Sequence, residues 1–184
     1  MEKAILLSAS PKQCSGTLDG YISILVRKTR PKMETPFKCY LYCTKPNTTD
    51  PHEYLEIHTD DKIHKANGKV VAEFICSRIL PIKVECSDVD SAVADNEFPY
   101  TGMTDKEIME YLGNGKYGYG WCVTDLIVYD KPKELSEFMK HDQCTYFHKN
   151  DKSCSFPYRC KNKWLCDSEF LTRPPQSWCY VVEL

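Results

Sequence analysis

Short runs of apolar, β-branched and aromatic residues recur along the whole chain, separated by proline, glycine and asparagine. Runs of this kind are typical of β-strands. The clearest are residues 3–8, 21–27, 37–43, 70–82, 122–129 and 178–182. Two helices are predicted, a weak one over 11–19 and a second over 104–112 that begins with a capping box of Thr104 and Glu107. Many strands, few helices and no internal repeat predict an α+β barrel or mixed sheet.

Length and composition predict one domain over residues 1–184. A chain of 184 residues can bury roughly 70% of its unfolded surface. No stretch approaches the roughly 18 apolar residues of a membrane span, and the N-terminal apolar run is too short for a signal peptide. The eleven cysteines, an odd number without an export signal, therefore indicate free thiols in a reducing, cytoplasmic compartment.

The second predicted strand suggests a pocket wall, because its residues alternate between two faces. One face consists of Ile22, Ile24 and Val26, which would pack into the wall. The other face would look into a cavity, to which tryptophans add flat apolar surface unless they belong to the core. The predicted ligand-binding residues are Tyr21, Ser23, Leu25, Arg27, Trp121, Cys122, Arg173, Gln176, Ser177 and Trp178.

The run from Arg27 to Lys32 is locally basic, although the net charge of the chain is −2. A basic patch can hold phosphate groups of a nucleic acid, and the aromatic segment 117–121 can stack a base. The alternative is a solvated loop between two strands. The predicted nucleic-acid-binding residues are Lys28, Arg30, Lys32, Lys131 and Lys133.

A cysteine-rich and lysine-rich loop is predicted at about residues 141–172. Four thiolates suit a structural zinc ion, which would tie such a loop together without a catalytic role. The spacing lacks the Cys-x₂-Cys of strong zinc motifs, so free thiols or a disulfide are the alternatives, and His148 is a substitute ligand. The predicted zinc ligands are Cys144, Cys154, Cys160 and Cys166.

Six blocks of sequence, taken in order, resemble ASCH domain proteins of the phage and prophage type, which belong to the PUA-like superfamily. The blocks are residues 3–8, 26–38, 67–74, 118–121, 129–135 and 173–178. This resemblance implies a PUA-like mixed β-barrel with a few peripheral helices. In PUA domains the cleft is associated with RNA or modified nucleosides. A few ASCH relatives are amidohydrolases of acetylated cytidine, and at least one is described as a ribonuclease.

The chain departs from the family in the segment that should line the cleft. The family motif reads Gly-x-Lys-x-x-Glu-x-Arg; Gly20 and Arg27 match it, but Ile22 and Leu25 stand at the lysine and glutamate positions. Cys122 stands where the phage branch has a histidine. Without the lysine and the glutamate, acid–base catalysis of the family kind is not expected. The pattern indicates a pocket changed for another ligand, by natural divergence or by engineering.

The sequence therefore predicts a binding module for a small-molecule or nucleotide-like ligand, with RNA as a candidate partner and no membrane. The competing hypothesis is an RNA-processing or nucleoside-modifying enzyme, for which Cys122 would be a replacement nucleophile. A third hypothesis is surface contact with a host protein.

Overall fold

The structure, a computed structural model, describes residues 3–46, 54–59, 62–85, 88–91, 101–113, 116–140 and 170–183. Within these ranges it contains ten β-strands and two α-helices. The predicted α+β class is therefore confirmed. The four predicted zinc ligands lie outside the described residues.

The elements follow the order expected from the sequence. The strands are β1 Ala4–Ala9, β2 Ile24–Arg27, β3 Phe37–Cys43, β4 Glu56–His58, β5 Ile63–Lys65, β6 Val70–Glu85, β7 Asp88–Ser91, β8 Tyr117–Lys133, β9 Phe138–Lys140 and β10 Trp178–Glu183. The helices are α1 Pro11–Leu18 and α2 Asp105–Leu112. A 3₁₀ turn, Leu135–Glu137, precedes β9.

Eight strands form one mixed sheet in the order β2-β8-β6-β3-β1-β10-β9, with β7 paired to β6. Strands β1 and β3 are parallel, and β4 and β5 form a separate hairpin. Hydrogen bonds connect the segment after β2 with β10, near the other end of the sheet. Trp178 Nε1 donates to Thr29 Oγ1 at 3.0 Å, and the Lys32 amide donates to the Tyr180 hydroxyl at 2.8 Å. The sheet is therefore strongly curled.

Both helices begin with a capping box. In α1 the Gln13 amide donates to Ser10 Oγ at 3.2 Å, while the Gln13 side chain accepts from the Ser10 amide. In α2 the predicted pair of Thr104 and Glu107 makes the same reciprocal contacts. Gly113 follows α2 with a φ of +94°, a conformation that glycine adopts without steric cost.

The curled sheet buries apolar side chains on both faces. On the inner face, Ile5 packs with Trp121, whose ring meets Phe37 edge-on at 5.7 Å between centroids. On the outer face, Leu6 packs in a second cluster with Phe138. Full burial of one such side chain contributes about 1.5–3 kcal/mol. Alternation along β1 thus supplies both cores.

The structure differs from the predicted alternation at Ile22. Strand β2 begins only at Ile24, so Ile22 lies in the turn before it. Its side chain packs against Gly16 and Gly102, where a Cβ would lie 2.7 and 2.4 Å from Ile22 Cδ1. Ile22 and Leu25 therefore share the inner core instead of lying on opposite faces.

Two segments hold structure that the apolar runs do not predict. Strand β8 continues through Pro132 to Lys133, which pairs with Val70 of β6, and the 3₁₀ turn follows it. The polar segment 45–69 contains the β4–β5 hairpin, which is separate from the main sheet. Neither helix in the described ranges is long and apolar enough to cross a membrane.

Candidate functional site

A cavity of about 190 Å³ lies where β1, β2, α1, α2 and the segment before β10 meet. Arg27 enters it from the end of β2, Gln13 from α1 and Tyr111 from α2. Apart from Ala9 and Met103, its described walls are polar. They consist of Ser8, Ser10, Gln13, Arg27, Thr44, Tyr111, Gln176 and Ser177.

Arg27 is the charged residue of this cavity wall, and only 3% of it is exposed. Nη1 donates to the Val26 carbonyl and Nη2 to the Ser8 carbonyl, both at 2.7 Å. Nε is buried without a hydrogen-bond partner in the described part of the chain. Burial lowers the pKa of Arg27, but a guanidinium stays protonated in proteins. None of the ion pairs between described residues includes Arg27.

Ser8 connects Arg27 with the segment before β10. Its carbonyl accepts from Arg27, its amide donates to the Ser177 carbonyl at 2.8 Å, and its hydroxyl donates to the Pro175 carbonyl at 2.7 Å. Ser177 Oγ is buried and lacks a hydrogen-bond partner among the described residues. Among the described residues, the cavity wall thus contains two buried polar atoms without partners, Arg27 Nε and Ser177 Oγ.

Cations and aromatic rings lie together beside the cavity. The Lys28 ammonium lies 5.0 Å from the ring centroid of Tyr111, which lines the cavity. The Arg30 guanidinium lies 5.9 Å from the ring of Tyr119, the residue of β8 opposite Arg27. Tyr117 is 61% exposed two residues earlier on the same strand. We call Lys28, Arg30, Tyr111, Tyr117 and Tyr119 the rim.

The structure brings three of the predicted ligand-binding residues together at the cavity. Arg27, Gln176 and Ser177 all line it. Arg173 is exposed and Ser23 is half-buried, and neither is among the lining residues.

The other predicted ligand-binding residues lie elsewhere, because the inward face of β2 packs into the core at Leu25 and reaches the cavity only at Arg27. Leu25 and Trp121 are fully buried in the inner core. Trp178 is half-buried against Trp121, with ring centroids 5.8 Å apart. Cys122 is buried, which raises the pKa of its thiol. Tyr21 is 73% exposed in the turn before β2.

The predicted nucleic-acid-binding residues do not form one patch. Lys28 and Arg30 belong to the rim, whereas Lys133 pairs with Glu183 and lies 4.4 Å from the Tyr129 ring on the outer face of the sheet. Lys131 is exposed near the end of β8, and the Lys32 side chain is exposed after β2.

Sequence reasoning missed five polar lining residues, in addition to Ala9 and Met103. They are Ser8, Ser10, Gln13, Thr44 and Tyr111. They come from β1, α1, the end of β3 and α2, and no spacing in the sequence connects these elements. The capping pattern of Ser10 and Gln13 locates the start of α1, but it carries no sign of a cavity.

Three or more His, Cys, Asp or Glu side chains that could share a metal ion do not occur together in the part of the chain that the structure describes. The predicted zinc site at Cys144, Cys154, Cys160 and Cys166 lies outside these ranges. It stays a prediction.

Comparisons with known proteins bear on the fold. No protein-family model matches the chain, and no curated protein matches it significantly. Among solved structures, the chain is similar to the crystal structure of ASCH from Zymomonas mobilis, with a TM-score of 0.53 and 13% sequence identity. The similarity covers 98% of this chain and 87% of that one. The chain therefore shares the fold of that ASCH protein, as the six sequence blocks predicted, with a curled mixed sheet in place of the predicted barrel.

Proposed function

We propose that the protein binds a small nucleotide-like ligand and that Arg27 holds its anionic group in the cavity. The observation that carries this proposal is the buried guanidinium, which has no carboxylate partner among the described residues. Removing a charge from water costs several kcal/mol unless an opposite charge compensates. An anion in the cavity would supply that compensation.

The rim supports a nucleotide as the ligand. The cavity has a volume of about 190 Å³ and opens to solvent on one side. An anionic group with part of a sugar therefore fits, while a base would lie outside on the rim. Stacking on an aromatic ring contributes about 1–3 kcal/mol per base. Lys28 and Arg30 would hold further phosphates, as in a single strand of RNA.

The chemistry of the wall favours binding over the enzyme hypothesis. The described lining residues include no aspartate, glutamate, histidine, lysine or cysteine, so Tyr111 is the one described lining residue of a type that acts in general acid–base catalysis. Cys122, the suggested replacement nucleophile, is buried with a raised thiol pKa, which disfavours the reactive thiolate.

Titration calorimetry with a nucleoside 5′-monophosphate and the corresponding nucleoside tests the proposal. We expect the monophosphate to bind at least about tenfold more tightly, because a hydrogen bond to a charged group contributes about 1.5–3 kcal/mol. Arg27→Met should abolish this difference, since it removes the cavity's cation while keeping an apolar stem.

The matched control is Lys131→Met, which removes the same charge from an exposed site on β8. It should leave the affinity within about twofold. Thermal unfolding of both variants confirms that they are folded. Equal affinity of wild-type protein and Arg27→Met for the monophosphate would contradict the proposal.

A further inference from the structure

We infer that the cavity selects a terminal phosphomonoester over an internal phosphodiester, so that the protein recognises the phosphorylated end of its ligand. This inference rests on the proposed function and specifies the anionic group. Three features of the wall support it: its charge, its unpartnered donors and its size.

Charge favours the monoester. Arg27 is the charged side chain among the described lining residues, and none of them is acidic. A phosphomonoester carries about −1.5 to −2 at neutral pH, whereas a phosphodiester carries one negative charge. A buried cation without a counter-ion attracts the more highly charged group more strongly.

The donors also match a terminal phosphate. Arg27 Nε and Ser177 Oγ are both buried without a partner in the described part of the chain. Both atoms are sealed from solvent, so their contact with a ligand requires rotation of the Ser177 side chain and a shift of the Arg27 side chain. A monoester offers three terminal oxygens to such donors and a diester only two. Ser177 would therefore be the residue that distinguishes them.

The size of the cavity disfavours a continuing chain. Within about 190 Å³ a phosphate can enter end-on with one ester oxygen pointing to the rim. An internal diester needs room for a sugar on each side. The Ser8 hydrogen bonds to Pro175 and Ser177 hold the wall before β10 in place, and they therefore oppose a widening of the cavity to admit a second sugar.

Fluorescence anisotropy with three single-stranded RNAs of one ten-nucleotide sequence tests the inference. One carries a terminal phosphate at its 5′ or 3′ end, one ends in hydroxyls, and one is circular and has no end. We expect the phosphorylated RNA to bind at least about tenfold more tightly than the other two. Inorganic phosphate and ribose 5-phosphate should compete, which would show that the terminal group itself is recognised.

Ser177→Ala should reduce the preference for the phosphorylated end several-fold, because it removes a donor to the third terminal oxygen. The control is Ser136→Ala, at an exposed serine in the 3₁₀ turn, which should leave this preference unchanged.

The outcomes separate the two proposals. If all three RNAs bind with equal affinity and Arg27→Met abolishes this binding, the selection of ends is overturned and the proposed function stands. A preference that survives both Arg27→Met and Ser177→Ala overturns the assignment to this cavity. Absence of binding to every RNA and to the mononucleotide overturns both.

Discussion

Cysteine thiols fill part of the inner core. Cys14, Cys39 and Cys76 are fully buried there as free thiols, in the role of small apolar side chains. Burial raises the pKa of all three, for Cys76 to about 12. Cys179, on β10, is only half-buried. Burial thus protects Cys14, Cys39 and Cys76 from reagents in solution.

We predict that iodoacetamide at pH 8 modifies Cys179 before Cys14, Cys39 or Cys76. The reagent needs an accessible thiolate, and a raised pKa leaves very little thiolate at this pH. Peptide mass spectrometry gives the rate at each cysteine, and the same reaction in denaturant provides the control in which these four react alike. Modification of Cys76 as fast as Cys179 in the native protein would contradict the buried placement.

At the scale of elements, two glycines of β8 allow its neighbours to approach. A Cβ on Gly118 would lie 2.5 Å from Leu112 Cδ1, and one on Gly120 would lie 2.8 Å from Ile24 Cγ2. Leu112 anchors α2 on the sheet, and α2 in turn carries Tyr111 to the cavity. The glycines of the glycine-aromatic segment therefore allow α2 and β2 to pack closely against β8 beside the cavity.

We predict that Gly118→Ala destabilises the protein by about 1–3 kcal/mol, because the added methyl group displaces the Leu112 side chain. Leu112→Ala alone should cost about 2–5 kcal/mol through the space it leaves. Urea unfolding of both single variants and the double variant measures their coupling. The double variant should be more stable than the sum of the single effects predicts; strict additivity would show that these side chains do not compete for space.

At the scale of the whole molecule, a polar network on the outer face joins four strands. The Tyr129 hydroxyl donates to Glu73 at 2.6 Å, and the Tyr40 hydroxyl donates to Glu183 at 2.7 Å. Lys38 pairs with Glu73 at 2.9 Å, and Lys133 pairs with Glu183. Strand β10, which follows the cavity wall, is thus tied to β3 and β8 as well as to β1.

We predict that this network makes the protein sensitive to acid. Burial raises the pKa of Glu73 and Glu183, but hydrogen bonds from Tyr129 to Glu73 and from Lys133 to Glu183 outweigh it, and the net pKa values are lowered. A carboxylate whose pKa is lowered by folding stabilises the protein at pH values above its pKa in the unfolded chain, which is about 4.3. This stabilisation is lost as the pH falls through the lower pKa of the folded state. The free energy of unfolding should therefore decline below about pH 5.

Urea unfolding between pH 7 and pH 3 measures this decline. Glu73→Gln and Glu183→Gln should each lower the stability at pH 7 and flatten its pH dependence. Glu34→Gln, at an exposed glutamate before β3, is the control and should change neither. If the free energy of unfolding depends on pH equally steeply in both network variants and in the wild-type protein, these carboxylates are not the cause of the acid sensitivity.

The sequence by itself determined the longer elements and the type of fold. Apolar runs predict β1 and β3, alternation predicts β2 because side chains on a strand point to opposite faces, and the capping box of Thr104 and Glu107 predicts the start of α2. Six ordered blocks predict the ASCH fold, which agrees with the solved ASCH structure. Arg27, Gln176 and Ser177 were also selected from these patterns, and all three line the cavity.

Only the tertiary structure decided which residues of β2 face a cavity and which pack into the core. Periodicity divides residues into two faces, but both faces of a curled sheet are apolar, so it cannot tell a packed core from a cavity. Leu25 therefore lies in the core while Arg27, two residues later on the same face, reaches the cavity. The remaining wall comes from Ser8, Gln13 and Tyr111, which meet only when the sheet curls and both helices dock.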